Sequence, residues 1–402
     1  MPELQPHLLE NSPDSNMSEA NLRPPRRLFH KGLAWPFCIT AEGNRIYGLD
    51  ILRAAAILFV LIAHGDNLHS NETVKRITGW IGFDGVSLFF VLSGFLIGGI
   101  LLKVMEKGEH TPKVLFSFWQ RRWLRTLPAY YLVLTTLILL ETFIGHTPML
   151  QHSKRFYIFL QNFNIEHTVF FQEAWSLSVE EWFYLLVPAA LFLLTGFLKL
   201  PSEKSILFAA VMILLFSIGF RYYRYTHLTI TSFEEWDQIY RKQVVTRLDS
   251  LMFGVTGAYL VGYHKELWVK YKKACLFTGL ALMIFLKLYG QILAPSYGLY
   301  QCVMSFDLEA LMVLLFLPQL SQMKKGRGIV YRMVTHISLI SYSLYLINFS
   351  LVQGWLLPHK PIWGLSKTSF ESLRYLCFWL ITIGGATLLY KYVERPVMRL
   401  RH

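Results

Sequence analysis

GLDILRAAAILFVLIAHG, residues 48–65, sets one arginine and one histidine, Arg53 and His64, into a run that past Asp50 is otherwise apolar. Its length approaches the roughly 20 residues that a helix needs to cross hydrocarbon. At 100° per residue their separation is three turns plus about 20°, so the two side chains share one face, about 16 Å apart along the axis. An arginine near mid-membrane costs at least about 2.5–3.5 kcal/mol by insertion scales, so this polar stripe is expected to face a bundle interior or a water-filled cavity. A hydrogen-bonding histidine with a snorkelling arginine is the plain reading of the pair. A proton-handling imidazole aligned with an anion-binding guanidinium is the functional one.

The rest of the chain supplies a bundle. Of 402 residues, 53% are hydrophobic and 16% are charged, and the mean hydropathy is +0.37. Soluble domains carry about 25% charged residues, so a water-soluble enzyme is excluded. Long apolar segments are expected near 49–66, 81–102, 127–145, 175–198, 205–221, 247–263, 273–290, 301–319, 333–357 and 370–392. The predicted fold is therefore all-α, a polytopic integral membrane protein with about ten transmembrane helices. Residues 1–48, broken by Pro2, Pro6, Pro13, Pro24, Pro25 and Pro36, read as a disordered tail. With no apolar core behind a basic start, that tail is not a signal peptide. Residues 49–402 read as one membrane domain.

The net charge of +13 is compatible with nucleic acid, anionic lipid or the flanks of membrane helices. Most Lys and Arg fall in the tail, in alternate loops and at the C-terminus. That distribution follows the positive-inside rule, placing both termini in the cytoplasm of what is expected to be a bacterial inner membrane, with no nucleic-acid partner. The PPRR stretch at 24–27 suits contact with anionic lipid. Cys38, Cys275, Cys302 and Cys377 show no close pairing, so neither a disulfide framework nor a metal site is expected.

Other polar groups go beyond what insertion requires. SFWQRRWLRTLPAYY (117–131) reads as a loop leading into a helix that starts near Pro128, with Arg121, Arg122 and Arg125 before it. Helical spacing puts Arg121 and Arg125 on one side, a geometry suited to phosphate. In AWSLSVEEWFYLLVP (174–188), Glu180 and Glu181 are about 100° apart, so one is expected to face inward with Ser176 and Tyr184. Opposite helix directions put Glu180 at the depth of His64, where a carboxylate would orient an imidazole. In GFDGVSLFFVLSGFLIGG (82–99) the small residues read as a close-packing face. Asp84, Asp307, Glu309, Tyr342, Tyr345 and Asn348 are further buried polar candidates whose partners the sequence does not name.

In chain order, the Arg53 and His64 pair, GVSLFFVLSGFLI (85–97), RRWLRTLPAYY (121–131), WSLSVEEWFYLLVP (175–188), RLDSLMFG (247–254), SYSLYL (341–346) and VERPVMRL (393–400) resemble membrane acyltransferase family 3. The resemblance implies a protein that moves an acyl group, usually acetyl, from cytoplasmic acyl-CoA to hydroxyls of extracytoplasmic or lipid-linked carbohydrates, or in some members to small molecules such as macrolides. It implies His64 as the catalytic histidine, Arg53 as its motif partner and Glu180 as the motif carboxylate. Arg121, Arg122 and Arg125 would meet the CoA phosphates. Two positions depart from the family pattern: Asn348 stands where many relatives have His, and Ser87 where many have Asp. With no esterase-like domain before the chain ends at His402, the acyl group is expected to reach its acceptor within the membrane domain or through a separate partner.

Two other classes fit parts of the pattern. Intramembrane Arg, His and Glu suit a transporter or flippase of a lipid-linked sugar or small solute, although no matching half-repeats are visible. A sensor or scaffold would use the tail. If the chain is an enzyme, the aromatic and charged stretch 221–247 is where acceptor specificity is expected.

Overall fold

In hydrocarbon every backbone N–H and C=O must find a partner inside the chain, so the apolar runs become helices. The computed structural model describes residues 45–108, 111–146, 150–290, 297–360 and 364–400, and no strand occurs among them. The tail expected at 1–48 lies, up to residue 44, outside the described residues. The long helices are α1 (Tyr47–Gly65), α3 (Gly85–Glu106), α4 (Pro112–Phe143), α6 (Ala174–Phe192), α7 (Ser202–His227), α9 (Leu248–Tyr263), α11 (Lys272–Leu288), α12 (Ser305–Leu320), α13 (Gly328–Ile347) and α14 (Lys367–Leu389). Short helices α2 (Glu72–Ile81), α5 (Lys154–Tyr157), α8 (Phe233–Trp236), α10 (Lys265–Lys270) and α15 (Arg395–Arg399) lie between or after them.

Among the described residues, eight helical spans are long and apolar enough to cross a membrane. The sixth and seventh expected crossings are α9 and α11, which at 16 and 17 residues are shorter. We call the end of the bundle where α1 begins the near face. There Gly48 N donates to Met323 O just past α12, at 2.9 Å. The far face is the end where α1 terminates at His64.

The sequence reading of the third crossing needs correction. Rather than a loop ending near Pro128, α4 is a continuous helix of 32 residues that begins with Pro112 at its first turn and is capped by Thr111. Pro128 lies inside it. Proline usually marks a helix start, but membrane helices accommodate it internally when neighbours satisfy the freed backbone groups.

Packing is closest where α3 crosses α9. A Cβ placed on Gly94 would lie 1.8 Å from Leu251 O, and one on Gly254 would lie 2.0 Å from Val91 O. Each helix thus offers a glycine to the other's backbone, the close approach that small residues permit in membranes. Gly94→Val is expected to abolish the monodisperse folded species in detergent size-exclusion chromatography. Gly99→Ala, on the same helix with nothing within 4 Å of its Cβ position, should leave it intact. Survival of the Gly94→Val peak would contradict this packing.

A buried ionic knot ties three helices together. Arg221 of α7 donates to Asp249 of α9 at 2.5 Å and to Asp307 of α12 at 2.6 Å, and its remaining donors reach Thr246 O and Val303 O. Its side chain is fully buried, and such a charge is tolerated only when paired on every side. This supplies the partner of Asp307 that sequence alone left open.

Candidate functional site

Two cavities lie end to end inside the bundle. The near cavity, a narrow space of about 80 Å³, is lined by Arg53 of α1, Ser93 of α3, Arg122 and Arg125 of α4, and Glu180 of α6. Arg122 donates to Tyr184 Oη at 2.9 Å, and Tyr184 in turn donates to Glu180 Oε2 at 2.9 Å. Ser93 donates to the other carboxylate oxygen at 2.9 Å. The Arg122 guanidinium also sits over the Tyr184 ring, 4.4 Å from its centroid, where cation–π attraction adds to the hydrogen bond. Arg122 and Glu180 are thus joined through one tyrosine.

Arg53 and Arg125 are less committed. The carboxylate nearest Arg53 is Asp50 at 3.9 Å, and Asp50 is already held by Arg45 and by Ser338. Among the described residues no carboxylate pairs with Arg125. Two guanidinium groups therefore present charge to the near cavity, whose chemistry suits an anion. Arg121 is exposed and does not line this cavity. The inward pair on α4 is Arg122 and Arg125, three residues apart, rather than Arg121 with Arg125.

The far cavity, about 510 Å³, holds His64 together with Asp84, Glu173, Trp175, Arg241 and Lys242. His64 Nδ1 lies 2.5 Å from Asn348 Oδ1. The amide NH₂ of Asn348 donates to Leu344 O at 3.0 Å and Tyr345 O at 2.8 Å. With both amide hydrogens engaged by backbone carbonyls, Oδ1 is the atom left for the imidazole. Nδ1 must then carry the hydrogen, and Nε2 keeps the lone pair of a base. The Phe349 ring, 4.6 Å from the imidazole, packs against it. Asn348 cannot be a base, as its sequence implied, but it sets the tautomer of the group that can.

Charge in the far cavity is paired. Arg241 bonds Asp84 at 3.2 Å and Asp237 at 2.8 Å, and Lys242 meets Asp237 at 2.5 Å. Burial alone would lower the Arg241 pKa, but Asp84 and then Asp237 outweigh it and raise it above its ordinary value, so the guanidinium stays charged. Behind this layer Ser87 Oγ contacts Asp84 at 2.8 Å, Glu309 at 3.0 Å and Arg247 at 2.9 Å. The clamp formed by Asp84, Arg241 and Asp237 is a feature that sequence reasoning missed. Its signal lay in the charged stretch ending at residue 247, but pairing across sequence distance leaves no local pattern.

Val86 and Tyr345 line both cavities and stand between them. Phe89 meets Tyr345 edge-on with ring centroids 6.4 Å apart, and Phe90 meets Trp175 at 6.0 Å. The Tyr345 hydroxyl is 2.6 Å from Ser176 Oγ and 2.9 Å from the Glu173 carbonyl. An aromatic partition therefore separates the arginines from the imidazole.

The structure does not bring Glu180 to His64. Helix direction suggested a similar depth, but α6 packs mainly on α3, α4, α7 and α9, and Glu180 lines the near cavity while His64 lines the far one. Nor is only one of the adjacent carboxylates inward. Glu181 is the more buried of the two, accepting from Thr126 Oγ1 at 2.8 Å, because α4 and α3 flank α6 on different sides.

A family profile described as an acyltransferase domain matches residues 46–391. Peptidoglycan O-acetyltransferase OatA of Listeria monocytogenes is 32% identical over 180 residues, which is 40% of this chain and 27% of that protein. O-acetyltransferase OatA of Staphylococcus aureus is 32% identical over 191 residues, 43% of this chain and 28% of that protein. The matched region thus spans less than a third of either relative. No solved structure matches the chain.

Proposed function

This chain belongs to membrane acyltransferase family 3, and on that footing we propose that it is an O-acetyltransferase that moves acetyl from acetyl-CoA at the near face to a hydroxyl of an extracytoplasmic or lipid-linked carbohydrate in the far cavity. The observation that carries the reading is the His64 Nε2 lone pair, fixed by Asn348 in the far cavity and divided by one aromatic wall from an arginine-lined cavity. The near face is the cytoplasmic one by the distribution of Lys and Arg.

Arg122 and Arg125 would hold the CoA phosphates through charge-assisted hydrogen bonds. The pantetheine arm would run up the near cavity past Arg53, bringing the thioester to the partition at Val86 and Tyr345. With the partition open, His64 Nε2 takes the acceptor's hydroxyl proton while the alkoxide oxygen bonds the acetyl carbon. The C–S bond breaks, CoA leaves as thiolate, and the imidazolium returns the proton to sulfur. Passage of acetyl through His64 itself reaches the same products. Glu180, held by Ser93 and Tyr184, acts on the near side by fixing Arg122, and its role is that of a positioning residue.

Sidedness tests this reading. In proteoliposomes with radiolabelled acetyl-CoA at the near face and envelope glycan at the far face, label is expected in the glycan. Glycan labelled only when donor is also at the far face would overturn it, as would glycan movement with no label.

A further inference from the structure

We infer that the acceptor is an extended glycan of several rings, seated in a second cleft that continues the far cavity past His64; this rests on the acetyl-transfer reading above. The second cleft, about 660 Å³, shares Gln172 and Phe349 with the far cavity and is otherwise lined by the C-terminal end of α4 and the residues just past it, the segment before α6, the segment after α13, and α14. Phe349 is the ring packed 4.6 Å from the His64 imidazole, so the second cleft begins one ring's width from the base.

The two clefts are held in fixed relation. Gln172 N donates to Ser350 Oγ at 3.2 Å and Ser350 N donates to Glu173 Oε1 at 3.0 Å, while the Ser350 hydroxyl also donates to Glu173. The segment before α6 is thereby stapled to the segment after α13, and the wall shared by the clefts cannot drift. At about 660 and 510 Å³, each cleft alone lies within the roughly 300–1,000 Å³ typical of a small-molecule pocket, and the two joined exceed it. A small acceptor would fill one and leave the other empty.

The lining matches a sugar's chemistry. Gln353 Oε1 and Arg374 Nε are buried without a hydrogen-bond partner. One accepts and the other donates, the pair of roles that ring hydroxyls answer. Leaving such atoms unpaired costs about 1–3 kcal/mol each, so a ligand that pairs them is favoured. Trp355 and Phe349 add apolar surface on which a pyranose ring can lie.

The experiment uses the full chain in nanodiscs, with radiolabelled acetyl-CoA and a glycan ladder released from the deacetylated cell envelope of the producing strain, size-fractionated from single rings upward. If extra rings gain hydrogen bonds to Gln353 and Arg374, kcat/KM should rise at least about tenfold from one ring to four, since about 1.4 kcal/mol is tenfold. Arg374→Ala and Gln353→Ala should each shrink that length ratio by raising KM for the long fractions. A flat length profile in the parent protein would overturn the extended site while leaving acetyl transfer standing, and it is read without any variant. A uniform loss across all fractions in both variants would also overturn it. Consumption of donor with no labelled fraction of any size would overturn the carbohydrate reading and this inference together.

Discussion

His64→Ala is expected to lower acetyl transfer by about 10²–10⁴-fold, the range a positioned general base contributes, while the protein inserts and purifies as the parent does. Nothing else in the far cavity replaces the imidazole. Asp84 and Asp237 are engaged by Arg241, Glu173 is held by Ser350, and the Asn348 amide has no basic lone pair on nitrogen. The same geometry ranks a second variant below it. Asn348→Leu removes the acceptor of the Nδ1 hydrogen and frees the tautomer, so kcat should fall while KM for acetyl-CoA holds. Radiolabel transfer at saturating donor separates the two. Parent-level activity in His64→Ala would end the assignment.

Replacing Arg122 and Arg125 together by Gln is expected to raise KM for acetyl-CoA by about one to three orders of magnitude, because a hydrogen bond to a charged group is worth roughly 1.5–3 kcal/mol. KM for the acceptor should stay nearly unchanged. The control comes from the structure: Arg121→Gln, on the exposed side of α4, should alter donor KM less than about twofold, in keeping with the modest worth of exposed charges. Initial rates at varied acetyl-CoA decide the matter. An equal rise with Arg121→Gln would show that bulk positive charge attracts the donor and that the cavity geometry is irrelevant. Equal losses toward both substrates would point to disturbed folding, since Arg122 also anchors Tyr184.

Much of the fold was legible because hydrocarbon imposes a single rule on apolar runs. Each expected crossing is a helix, and the Gly94 face of α3 packs as small residues in a membrane helix are expected to. The beginning of α4 was not legible. RRWLRT looks like a cytoplasmic loop because arginines and a proline usually end helices, whereas here Arg122 finds Tyr184 across the bundle. The site divides in the same way. Helical periodicity put Arg53 and His64 on one face, and each lines a cavity. Glu180 was expected beside His64 and lines the other cavity instead, because direction along a helix axis fixes neither an accurate depth nor which helix stands alongside. The partners of Asp307 and of Asn348 lay 86 and 284 residues away. Only tertiary packing joins such groups, and a single sequence carries no trace of it.

The wall of Val86, Phe89, Phe90, Trp175 and Tyr345 bears on cellular energetics as well as on chemistry. Moving one elementary charge through the bilayer releases about 2.3 kcal/mol per 100 mV of potential. A continuous water column from Arg125 to His64 would short-circuit the cell with every idle enzyme molecule. On the proposed route, packed rings here would let a two-carbon fragment be handed across while ions stay behind, so the resting protein would not dissipate the gradient its host spends fuel to maintain.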